Sequence, residues 1–108
     1  MRKLLFISRH VPSPEQVELA LEKELELIHV GDMDAFGDVL TDLENLLYKY
    51  GSIDERLPIF GCVHPAIALE AIRWTSVALF ENQNRAPEGE RPTFQAVALH
   101  IHNPVFGE

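Results

Sequence analysis

Positive charge is scarce in this chain. Nine lysines and arginines stand against 17 aspartates and glutamates in 108 residues, a formal net charge of −8. That balance speaks against sequence-independent binding of long nucleic acid, which needs an extended basic face. It still admits a small anionic ligand, because field focusing in a cleft depends on neighbouring charges more than on the total. Cysteine is reduced to Cys62. An internal disulfide is therefore excluded, and a cytoplasmic location is expected. Cys62 lies in an apolar stretch and reads as a core residue, which argues against thiol catalysis. No apolar run is long enough to span a bilayer, so no membrane partner is expected. The run Leu4–Ile7 behind Arg2 and Lys3 is also too short for a signal peptide, and reads as a first strand. The dinucleotide, Walker and nucleophile-elbow glycine motifs are missing, as are HExxH and paired cysteines. No metal and no cofactor are expected.

What is present reads as one α/β domain over residues 1–108. Lys3–Ser8 is a continuous apolar strand. Ser13, Pro14 and Gln16 then form a helix start with a capping box. Leu25–Val30 is a second strand, closed by Gly31 and Asp32. From Asp34 to Tyr50, apolar residues recur at helical spacing, and Gly51 follows at the cap position. Its acidic residues Asp38, Asp42 and Glu44 read as a solvated face. A third strand, Leu57–Val63, has its proline at the start, where no ladder bond is lost. His64-Pro65 opens a helix running from Ala66 to about Arg73. Thr75–Phe80 and Thr93–His102 are the last two strands. Only a polar loop, Glu81–Pro92, joins them, so they form an antiparallel hairpin. The expectation is a Rossmann-like, mostly parallel five-stranded sheet with helices on both faces.

In such sheets ligands sit beyond the carboxyl ends of the strands. That edge would collect Ser8, Arg9 and His10 after the first strand, Asp32 after the second, and His64 after the third. Asn82, Asn84 and Arg85 would follow the fourth. Amides can read a base edge or a ribose, and a guanidinium can pair with phosphate through its forked donors. Two of these connections also open helices, whose free N–H groups favour an anion. Each residue also has a structural explanation: Ser8 as a turn residue, Arg9 as a solvated charge, His64 as a helix cap. The tip from Ala86 to Arg91 reads as a solvated turn. His29, inside a strand, reads as structural. His100 and His102 share one face near the chain end, without the further ligands a metal would need.

The "LLFISRH" strand end, the "PSPEQVELA" helix start and the "VHP" third strand end together resemble the small CRISPR-associated accessory proteins of type III systems. Some of these are ring nucleases, which degrade cyclic oligoadenylate second messengers. The resemblance implies a metal-independent reaction in which a ribose 2′-hydroxyl attacks the adjacent phosphorus and a 2′,3′-cyclic phosphate forms. His10 would be the general acid, with His64 as the alternative proton carrier. Arg9 or Arg85 would stabilise phosphoryl charge. Ser8, Gln16, Asp32, Asn82, Asn84 and Arg85 would contact the cyclic oligoadenylate or another small nucleotide. A homodimer with the ligand near its two-fold axis is expected. A non-catalytic sensor or sponge of the same fold would need the same arginines and amides but no proton carrier. A regulatory protein acting through its acidic surface would need no pocket.

Overall fold

The computed structural model describes residues 1–51, 57–61, 64–84, 86–91 and 94–104. The elements run β1 (Arg2–Ile7), α1 (Pro14–Glu22), β2 (Leu25–Gly31), α2 (Val39–Tyr50), β3 (Ile59–Gly61), α3 (Pro65–Ala71), β4 (Val77–Asn84) and β5 (Phe94–His102). They build a five-stranded mixed sheet in the order β2-β1-β3-β4-β5. β1 to β4 are parallel, and β5 returns antiparallel to β4.

β1 pairs on both sides, so its side chains alternate between two buried faces, and a continuous apolar run results. Leu4 packs with Ala20 of α1, Leu25, Ile59, Ala78 and Leu99. Leu5 and Ile7 pack with Leu43 of α2, Phe60, Val77, and Ile67 and Ala71 of α3. Helices thus cover both faces. Leu4, Leu5 and Leu43 are fully buried, each worth roughly 1.5–3 kcal/mol of apolar transfer. At the amino end of the sheet, Thr75 Oγ1 donates to the Pro58 carbonyl at 2.9 Å, and Arg2 Nε donates to the Leu57 carbonyl at 2.8 Å. No helix among the described residues is long and apolar enough to cross a membrane.

Three boundaries differ from the sequence expectation. α2 begins at Val39 rather than Asp34, because acidic side chains compete for the backbone donors. Asp34 Oδ1 accepts from the Phe36 N–H, and Asp38 accepts from both the N–H and the hydroxyl of Thr41. Asp38 is therefore the N-cap of α2 rather than part of a solvated helical face. β4 continues to Asn84, well past Phe80, because β5 supplies a ladder partner for every residue from Val77 to Asn84. β3 begins at Ile59 rather than Leu57. Cys62 lies outside the described residues.

α1 ends against strain. Its C-cap is Lys23, and Glu24 follows at φ +59, the left-handed region that favours glycine. Replacing Glu24 with Gly removes a cost of about 1–2 kcal/mol. The melting temperature of Glu24→Gly is expected to rise by roughly 4–8 °C, and an unchanged or lower value contradicts the strain. The Thr41 hydroxyl, and then the Thr41 N–H, hold the Asp38 carboxyl below its usual 3.8. The stability from this depressed value is complete above the unfolded carboxyl range and is lost as pH falls through the lower folded value. The acid limb of the melting curve is expected to be shallower in Asp38→Asn below about pH 4. Parallel limbs in variant and parent would contradict it.

Candidate functional site at the carboxyl rim

The strand order 2-1-3-4-5 reverses direction between β1 and β3, and a crevice forms beyond the carboxyl ends at such a switch point. Phe6 of β1 stands beside Gly61 of β3, and Gly61 beside Ala78 of β4. Ser8, Arg9 and His10 therefore leave the sheet on one side of the switch, and His64 follows β3 on the other. Asp32 leaves β2 at the same edge, one residue after Gly31, whose φ of +85 turns the chain.

The Ser8–His10 turn is braced twice. Ser8 Oγ accepts from the His10 N–H at 3.0 Å, and His29 Nε2–H donates to the Ser8 carbonyl at 2.6 Å. His29 reaches the turn because Phe6 and His29 are register partners on neighbouring strands, with their rings edge to face at 6.1 Å. Sequence reasoning assigned His29 a structural role. It missed that the structure being held is the candidate site itself, since only the β1–β2 register brings the two together. Arg9 and His10 are exposed, and neither side chain has a hydrogen-bond or ion-pair partner among the described residues. The turn presents a guanidinium and an imidazole to solvent on a fixed backbone.

Other expected site residues are partly committed to framework. Gln16 completes the capping box: its Oε1 accepts from the Ser13 N–H at 2.9 Å, and Ser13 Oγ accepts from the Gln16 N–H at 3.2 Å. His64 caps α3, its Nδ1 accepting from the Ala66 N–H at 3.1 Å. That bond places its proton on Nε2, so neutral His64 can donate to a ligand but cannot accept a proton without losing the cap. Phe36 lies edge-on to His64 at 5.5 Å.

Asn82 and Asn84 lie on β4, opposite Ala96 and Phe94, rather than in a loop. At about 3.3 Å per residue they stand roughly 13 and 20 Å past Ala78, the last β4 residue with a β3 partner among the described residues. They decorate a ribbon that projects from the rim instead of converging on the switch. Asn84 Oδ1 accepts from the Ala86 N–H at 3.0 Å. Arg85 lies outside the described residues.

Charge is uneven along the rim. Between β1, β2 and α2 a cavity of about 270 Å³ is lined by Ile7, Gly31 and Met33 together with the carboxylates of Asp32, Asp34 and Asp42. This flank repels phosphate, so an anion at the rim belongs on the β3 side of the Ser8–His10 turn. Asp32 Oδ1 also accepts from the Met33 N–H at 2.9 Å. The larger cavity, about 630 Å³, opens at the opposite end of the sheet, by Arg2, Lys23, Ile59, Ser76 and Asn103. Its guanidinium is spent on Leu57 and Thr75, so volume and chemistry point to different ends, and chemistry decides for the rim. Among the described residues no three His, Cys, Asp or Glu side chains converge as metal ligands. His100 and His102 are exposed, and His100 Nε2 lies 3.2 Å from Glu81 Oε2.

Comparison with known proteins finds no matching family model, no similar curated protein and no similar solved structure.

The brace predicts a local effect. In His29→Ala the amides of Arg9, His10 and Val11 are expected to exchange with solvent several-fold faster, with global stability falling by no more than about 1 kcal/mol. Unchanged exchange in this turn would show that the Ser8 carbonyl needs no anchor.

Proposed function

We propose that the chain is a Rossmann-like phosphodiester-binding protein that acts on a cyclic oligoadenylate at the switch point as a metal-independent ring nuclease. The observation that carries this reading is the Ser8–His10 turn at the end of the interior strand β1, braced from β2 by His29. It offers a fixed backbone with Arg9 and His10 unclaimed. Arg9 pairs with the phosphoryl oxygens, and the Nε2–H of His64 supplies a further donor from across the switch. Asn82 and Asn84 on the projecting ribbon contact the outlying part of a ligand as broad as a cyclic oligonucleotide.

In the reaction the ribose 2′-oxygen bonds to the neighbouring phosphorus and its proton departs to solvent. The bond from phosphorus to the 5′-oxygen breaks, His10 delivers a proton to that oxygen, and a 2′,3′-cyclic phosphate remains. The second reading, a binding protein that sequesters the ring intact, is favoured by one observation. No side chain among the described residues orients the His10 imidazole, whereas general acids are held in place by a partner.

Incubation with a panel of cyclic oligoadenylates, with and without chelator, followed by product separation, tests both. The ring-nuclease reading expects linear products ending in a 2′,3′-cyclic phosphate, formed at equal rates with chelator. It also expects a loss of about 10²–10⁴ in rate for His10→Ala. Intact ligand with a raised melting temperature would establish sequestration instead. Intact ligand with no thermal shift would overturn both.

A further inference from the structure

We propose that the free edge of β5 pairs with the same edge of a second copy of this chain, joining two sheets into one. This inference does not rest on the ligand reading above. Among the described residues β5 is the last strand of the sheet, so half of its backbone donors and acceptors face outward. Beside it a cavity of about 440 Å³ is lined by Leu19 and Glu22 of α1, its C-cap Lys23, and Val97–His100. Successive strand residues point to opposite faces. A cavity touching four in a row therefore follows the edge rather than a face. An extended segment laid there becomes the next strand, with α1 as its wall.

The occupant is argued from charge. Soluble proteins guard free edges with charged side chains, and the opposite edge strand β2 follows this with an exposed Glu26. The run Pro92–Gly107 is the longest stretch of the sequence without a lysine, arginine, aspartate or glutamate, and β5 lies inside it. Two chains of charge −8 repel each other almost anywhere else on their surfaces. Along β5 they do not. A cationic partner would meet Glu22 with Lys23 beside it, and Glu81 already paired with His100, whereas an uncharged apolar strand matches the strand itself.

The register follows from the bulge. Glu81 pairs with Ala98 and Asn82 with Ala96, which leaves Val97 extra and Ala98–His102 as the regular run. An antiparallel pairing about His100 sets Leu99 of each copy against Ile101 of the other, on the α1 face. On the other face Ala98 meets His102, and His100 meets itself. Leu79 and Ile101 are exposed in the single chain, at 44% and 37%. The seam is short, so the dimer is expected to be weak and concentration-dependent. Its two-fold axis runs perpendicular to the sheet, which sends the two carboxyl rims to opposite ends. Each rim then works alone, and no single ligand lies on the axis.

Sedimentation velocity over a wide concentration range tests the proposal, with hydrogen exchange across β5 as the local readout. The parent chain is expected to pass from monomer to dimer, with slower exchange at Ala98–His102 at high concentration. His100→Lys keeps a partner for Glu81 yet sets two ammonium groups against each other across the seam. It is expected to weaken the dimer about tenfold or more, as is Ile101→Lys, while both melt as the parent does at low concentration. A parent that stays monomeric overturns the proposal. So does a dimer unmoved by both variants.

Discussion

β1 must satisfy hydrogen bonds on two sides and bury side chains on two faces at once. Everything else in the molecule is arranged around that requirement. Leu4, Leu5, Phe6 and Ile7 are nearly or wholly inaccessible, and no other strand is enclosed so completely along four consecutive residues. Because β2 and β3 pair parallel on either side, their crossover helices lie on opposite faces. The chain therefore leaves β1 at the one place on the rim where neighbouring connections diverge. The candidate site is a consequence of how β1 is buried.

The same geometry separates two surfaces of different character. Toward β2 the rim is acidic, the Ser8–His10 turn leaves β1, and the cap of α3 follows β3. A net charge of −8 says nothing about this division. His29 belongs sterically to the first flank and serves the second, through one bond to a backbone carbonyl. The functional side chains at such a turn stay exposed because the framework is held by backbone groups rather than by the residues that would meet a ligand.

Where a fourth crossover helix would lie in a fully parallel sheet, this chain has a hairpin. Two results follow. The ribbon β4–β5 runs on past Ala78, the last β4 residue with a β3 partner among the described residues. The face beside α3 is left open as a groove of about 360 Å³ lined by Ala68, Leu69, Ile72 and Leu79. The asymmetry of the fold, covered at β1 and bare at β5, comes from this single change of connection.

The sequence by itself determined the local elements. The capping box of Ser13 and Gln16, the proline opening α1 and the cap of α3 by His64 all follow from interactions within a few residues. So does the α/β class. Interactions between distant segments were decided only by the tertiary structure. These include the length of β4, which depends on pairing with β5. The meeting of His29 with Ser8, and the spacing of Asn82 and Asn84 from the switch, are of the same kind. A backbone donor takes whichever acceptor folding brings closest, and that choice depends on register, which periodicity along one chain does not encode.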